Sequence, residues 1–108
     1  MTKIFIADAF TSAPFSGNPA AVCILEEDKT DKWLSDVAAE MNLSETAFVK
    51  KEKEGFSLRW FTPVKEVGLC GHATLASSHI LWQKGYINQD ETAVFQTRIS
   101  GILKAVKN

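Results

Sequence analysis

Residues 72–84 carry Ala73, Leu75, Ala76, Ile80, Leu81 and Trp82 with Ser77 and Ser78 between them, and no other stretch limits the fold as much. A helix that is apolar nearly all round has no face to give to water and belongs in an interior. Its small residues let neighbouring backbone come close. Lys84-Gly85 supplies a cationic last turn and a left-handed cap. The expectation is a central helix wrapped by strands. Its N-terminal end, in Gly68-Leu69-Cys70-Gly71-His72-Ala73-Thr74, presents Cys70, Gly71 and His72 to a cavity. Free N–H groups and a positive dipole end make such a mouth a seat for an anion or carboxylate.

The flanking chain reads as strands. Residues 3–10 alternate imperfectly, with Ile4, Ile6 and Phe10 on one side and Phe5, Ala7 and Ala9 on the other, which suits a strand covered on both faces. Residues 11–19 are rich in Gly, Asn and Pro and form a turn segment. Residues 20–25 are an unbroken apolar run, read as a second, buried strand, and Glu26-Glu27-Asp28-Lys29 is a solvated loop. Thr30 or Asp31 caps an amphipathic surface helix whose apolar positions Trp33, Leu34, Val37, Ala38 and Met41 follow helical spacing, with Asn42 as its stop. A third strand spans 46–49, residues 50–55 have the composition of a hairpin tip, and a fourth strand from Phe56 is closed by Pro63. Residues 92–97 and 102–106 read as the last two strands. The predicted order is strand, strand, helix, strand, strand, helix, strand, strand, in one α+β domain over residues 1–108. The final strand runs apolar almost to Asn108, so its sheet edge is expected to lack a partner.

Charge and cysteine content narrow the function classes. Twelve Lys+Arg against 13 Asp+Glu give a net charge of -1, so nothing points to nucleic acid or an anionic membrane. No apolar run approaches the length of a bilayer span, and Asp8 interrupts the region a signal peptide would need. The default is a cytoplasmic protein with reduced thiols, since Cys23 and Cys70 are too few for a disulfide framework.

Three side chains carry candidate chemistry. Glu45 lies between a helix terminus and a largely apolar strand. It is either a partly desolvated carboxylate suited to acid/base work or an ordinary surface residue opening a strand. His72 at the helix mouth is either a neutral hydrogen-bonding group or a capping or core histidine. Cys70 beside the same helix end is either a dipole-stabilised thiolate or a small buried cysteine. His79 reads as structural or exposed. Cys70, His72 and His79 do not reproduce a zinc spacing, and Gly68 and Gly71 form no phosphate-binding pattern.

Five ordered motifs carry a resemblance. They are Asp8-Ala9-Phe10-Thr11, Pro14-Phe15-Ser16-Gly17-Asn18-Pro19-Ala20-Ala21-Val22, Met41-Asn42-Leu43-Ser44-Glu45-Thr46-Ala47-Phe48, Leu58-Arg59-Trp60-Phe61-Thr62-Pro63 and Leu69-Cys70-Gly71-His72-Ala73-Thr74. Together they resemble the phenazine-biosynthesis PhzF-like isomerases of the diaminopimelate-epimerase-like superfamily, and they span essentially the whole chain. Thr97-Arg98 with Ser100-Gly101 and Leu103 looks like the hairpin closing that family's first lobe.

The resemblance implies two lobes, each a central helix inside a strongly curved, mostly antiparallel sheet, with the active site in the cleft between them. It implies acid/base proton shift on a small carboxylate-bearing metabolite without metal or organic cofactor. The family glutamate falls on Glu45 and its histidine on His72. Gly71 and Ala73 amides become carboxylate donors, and Asn18 a cleft-lining position. Ser44, Cys70 and Thr74 then stand behind the residues that touch substrate. Related racemases use two thiols from opposite faces, but this chain offers only Cys23 beside Cys70. Family members run to roughly twice this length, a size typical of two domains. The chain is therefore expected to be the N-terminal lobe without the C-terminal one, and weak or inactive alone. The competing expectations are a non-catalytic module that self-associates through its open sheet edge, and a thiol-dependent racemase or epimerase acting through Cys70.

Overall fold

The computed structural model describes residues 3–9 and 18–106, with the side chains of 3–6 and 19–106. Phe10 and residues 11–17 of the turn predicted at 11–19 lie outside the described residues, and Asn18 and Pro19 belong to the following strand and not to the turn.

The unbroken apolar run organises the sheet. Strand β2 (Asn18–Leu25) is paired antiparallel with β1 (Lys3–Ala9) and parallel with β3 (Glu45–Lys51). Because successive side chains point to opposite faces, a run with no polar interruption needs apolar cover on both. It has that cover. Ala20, Val22 and Ile24 join one core cluster, while Cys23 and Leu25 join a second. Strand β3 divides in the same way, Ala47 and Val49 from Phe48, as does β4 (Phe56–Phe61), where Phe56, Leu58 and Trp60 enter the first cluster and Phe61 the second.

Each cluster is closed by a helix. The second lies under α1 (Asp31–Met41), which buries Leu34 and Ala38. Phe48 stands edge-on to both Trp33 and Phe61, with ring centroids 6.2 and 5.4 Å away. Thr30 caps α1, its Oγ1 accepting the Trp33 N–H at 3.1 Å, an interaction of about 1 kcal/mol. Asn42 ends the helix in the left-handed region at φ 50°.

The larger cluster closes on α2 (Gly71–Gln83), which packs against β1, β2 and β3 and shares the core with Phe95. Ser77 and Ser78 are buried on α2 because their hydroxyls donate to Ala73 O (2.7 Å) and Thr74 O (2.9 Å) inside the helix. Gly85, at φ +78°, takes the expected left-handed cap. Its N–H bonds Trp82 O and the Tyr86 N–H bonds Leu81 O, together satisfying two terminal carbonyls. The helix itself ends at Gln83, so Lys84 is the cap residue and not part of the last turn.

The sheet order is β1-β2-β3-β4-β6-β7, with a short β5 (Glu66–Val67) also on β4. Strands β6 (Ala93–Gln96) and β7 (Ile102–Ala105) follow α2. Pairings β1–β2, β3–β4, β4–β5 and β6–β7 are antiparallel, and β2–β3 and β4–β6 parallel. The mostly antiparallel α+β sheet with one central and one surface helix is thus as expected.

Three expectations are corrected. Strand β1 is not covered on both faces: Phe5 packs on the core, but Ile4 and Ile6 are 47% and 56% exposed, since β1 is an edge strand. Helix α2 is not wrapped completely, because the row Gly71, Leu75, His79 faces outward. Strand β5 has no counterpart in the predicted order, being two residues long and defined only by its pairing with Trp60 and Phe61. No helix among the described residues is long and apolar enough to cross a membrane.

Candidate active site at the mouth of the central helix

Two elements bring the candidate residues together. Glu45 is the first residue of β3, and parallel pairing sets it opposite Ala20 of β2. Asn18 opens β2 two residues earlier, at the same end of the sheet. Its side chain lies outside the described residues. Cys70 is the N-cap of α2, extended at φ -145° and ψ 100°, and its Sγ accepts the Ala73 N–H at 3.4 Å. The Glu45 carboxylate, 25 positions back in the chain, lies near enough to the thiol for its charge to act on it.

Behind the sulfur the backbone is pinned. Thr74 Oγ1 donates to Cys70 O at 2.8 Å and receives the indole N–H of Trp60 at 3.1 Å. Both Trp60 and Thr74 are buried, so the cap is held by groups that water does not reach. Thr74 thus holds the Cys70 backbone, and Ser44 is exposed.

Burial pushes the Cys70 thiol above its ordinary value, the Glu45 charge adds to this, and backbone N–H groups at the helix mouth oppose it. Cys23, fully buried on β2, is pushed up to about 12 by burial alone.

Glu45 is half-buried, and its Oε2 is wholly buried without a hydrogen-bond partner among the described residues. An unpaired buried carboxylate oxygen is costly, and natural proteins retain one where something else is to occupy the space. Thr46 Oγ1, the neighbouring atom in the same condition, lies on the opposite strand face by alternation.

The helix-mouth amides divide in use. Ala73 N–H is engaged by Cys70 Sγ, while Gly71 N–H, at the first helical position, has no acceptor inside the helix. A Cβ placed on Gly71 would meet nothing within 4 Å among the described residues. His72 is half-buried and borders an open recess of about 420 Å³ formed with Leu69, Leu75, Leu103 and Val106. His79 is exposed two turns along the helix from the mouth, apart from this group. Among the described residues no three His, Cys, Asp or Glu side chains converge in a way that could hold a metal ion.

A larger recess, about 490 Å³, adjoins β4 and β5 and is lined by Asp31, Arg59, Glu66 and Arg98. Nothing in residue spacing pointed to this cluster. Arg59 reaches Glu66 with two bonds of 2.8 Å and Asp31 at 3.0 Å, and Arg98 reaches Glu66 at 3.3 Å. Two cations and two carboxylates neutralise each other. The cluster ties β4 to β5, to the start of α1 and to the β6–β7 turn, and the helix mouth remains the better candidate.

The chain resembles known proteins over nearly its whole length. Residues 7–108 match the family described as phenazine biosynthesis-like protein, PhzC-PhzF. An uncharacterized isomerase of Halalkalibacterium halodurans is 57% identical over 106 residues, spanning 98% of this chain and 40% of the relative. The human phenazine biosynthesis-like domain-containing protein is 52% identical over 94% of this chain and 38% of its own length. A crystal structure of a PhzF-family phenazine biosynthesis protein from Enterococcus faecalis superimposes with a TM-score of 0.89 at 46% identity, over 97% of this chain and 40% of that one. The chain thus spans about 40% of the length of the relatives it matches.

Proposed function

The chain belongs to the PhzC-PhzF family of phenazine biosynthesis-like proteins, and from that membership we propose that it forms the proton-moving lobe of a cofactor-independent isomerase. The isomerase class is supported by the relative of that name. In this reading Glu45 removes a proton from a carbon of a small carboxylate-bearing metabolite and returns it to another. The substrate carboxylate sits before the Gly71 N–H at the positive end of α2, with Ala73 N–H shared between it and Cys70, and His72 and Asn18 border it. The second wall of the cleft comes from the part of the full-length protein beyond this match, and the reaction takes place in the cytoplasm.

The observation that carries the reading is the Glu45 Oε2 atom, buried at the helix mouth with no partner among the described residues. An oxygen in that state can take up a proton without first breaking an internal bond. The test is turnover in deuterated water by the full-length protein with small amino and keto carboxylates. Deuterium is expected at a substrate carbon. Conversion without any wash-in or wash-out of label, across slow and fast substrates, would argue for a different chemistry.

A second reading is favoured by the surface. Leu69, Leu75 and Val106, 59%, 43% and 70% exposed, line one open recess beside β7, whose outer edge pairs with no strand among the described residues. In that reading two copies of the 108-residue chain pair through this face. Sedimentation velocity is expected to show a dimer whose share rises with concentration; a monomer at every concentration would dispose of it. Racemisation through a Cys70 thiolate is the weaker third reading, because burial and Glu45 hold the thiol protonated.

A further inference from the structure

We infer that Trp60 is a positioning residue for the Gly71 amide: its indole N–H holds the Thr74 hydroxyl, which holds the Cys70 carbonyl and so sets the direction in which the Gly71 N–H points. This role rests on the reading in which that N–H seats the substrate carboxylate, and it adds the residue that aims it.

The sense of each bond follows from what the groups can donate. An indole nitrogen is a donor only, so in its 3.1 Å contact with Trp60 the Thr74 oxygen must accept. Its single proton is then left for Cys70 O, 2.8 Å away. The Thr74 N–H reaches the same carbonyl at 3.0 Å, so both lone pairs of that oxygen are engaged by one residue. A single bond would let the carbonyl swing about it, as at a fraying helix end; two from different directions hold it. The Cys70–Gly71 peptide is planar and trans, which makes its N–H point opposite to its C=O. With the carbonyl drawn into the helix, the Gly71 N–H is directed out of the mouth. Gly71 is exposed and has no side chain to steady it, so it takes its direction from the peptide it shares with Cys70. The anchor at the other end is firm: Trp60 is 2% exposed and lies in register between Ala47 of β3 and Val67 of β5. A buried indole N–H needs a partner, and the one Trp60 takes belongs to the first turn of α2.

Nitrogen relaxation of the 108-residue chain reads the Gly71 N–H without a ligand. In the unmutated chain its order parameter is expected at about 0.85, the value of rigid backbone, although Gly71 is the exposed first residue of a helix. A value below about 0.6 there overturns the inference with no variant needed. Trp60→Phe keeps an aromatic ring in the core and removes the donor. The Gly71 order parameter is then expected to fall toward about 0.6 while those of Gly85 and Gly101, at other turns, stay where they are. A loss of core packing alone would not single out Gly71. Thr74→Val is expected to give the same fall, and Thr74→Ser, which keeps the hydroxyl, to match the unmutated chain. A folded Trp60→Phe chain with Gly71 as rigid as before overturns the inference, including where Thr74→Val alone releases it.

In the full-length protein Gly71→Pro tests the seat separately. Proline is accommodated at a first helical position, and Cys70, extended at φ -145° and ψ 100°, suits the residue before one. The change removes the N–H and keeps the peptide. Turnover of small amino and keto carboxylates is expected to lose about tenfold or more in kcat/KM, the worth of one hydrogen bond to a charged group. Unchanged kcat/KM would take Gly71 out of the seat and overturn the positioning role even with the relay intact. A rigid Gly71 in Trp60→Phe would remove the relay and leave both the seat and Glu45 as proton carrier.

Discussion

Glu45→Gln in the full-length protein is expected to lower turnover by about 10²- to 10⁴-fold, the usual worth of one positioned acid/base group, while ligand binding is retained. The amide has the shape of the carboxylate, so the helix mouth need not rearrange. What is lost is the capacity to take a proton at Oε2, the buried oxygen with no partner among the described residues. Initial-rate kinetics and calorimetric binding of an unreactive substrate analogue separate the two effects. Retained turnover would show that another group moves the proton. Loss of binding along with turnover would instead mean that Glu45 is part of the carboxylate seat.

Gly55→Ala is expected to be the most damaging single-methyl change in the fold, by about 3 kcal/mol or more, combining left-handed strain with a backbone clash. Gly55 closes the β3–β4 turn at φ +79°, where Glu52 N–H bonds its carbonyl at 3.0 Å. A Cβ there would lie 2.5 Å from the backbone oxygen of Val94 on β6. That oxygen cannot swing aside as a side chain would, because β6 is held next to β4 by the parallel pairing of Phe56 with Phe95. Gly101→Ala is the control. It has a similar φ of +71° but nothing within 4 Å, and only the strain of about 1 kcal/mol remains. Thermal unfolding should show a drop of more than about 10 °C for Gly55→Ala and a few degrees for Gly101→Ala. Equal drops would mean that φ alone matters and that β6 yields.

These two sites differ in how much of them could be read beforehand. Glu45 was singled out by its place between a helix stop and an apolar strand and by the motif it sits in. Gly55 read only as part of a polar hairpin tip, because the reason it must be glycine is a strand 39 residues further on. The same distinction runs through the fold. Both helices, their caps at Thr30, Asn42 and Gly85, and the doubly covered β2 follow from local pattern, since periodicity and capping chemistry act within a few residues. The two residues of β5, the exposure of Ile4 and Ile6 on an edge strand, and the Arg59–Glu66–Asp31–Arg98 cluster have no local cause.

By itself the sequence predicted a largely interior helix over residues 72–84 with glycine and small polar residues at its mouth, because composition and spacing act locally; Cys70, His72 and Glu45 stood out as groups with chemistry to offer, and the family motifs, not spacing, gave Glu45 and His72 their expected roles. Only the tertiary structure decided what the groups are to one another. The parallel pairing of β2 with β3 carries Glu45 to the mouth of α2, where its charge and the surrounding burial keep the Cys70 thiol protonated against the pull of the helix dipole. A thiol's state depends on the balance of charge and solvent around it, and both are set by residues far away in the chain.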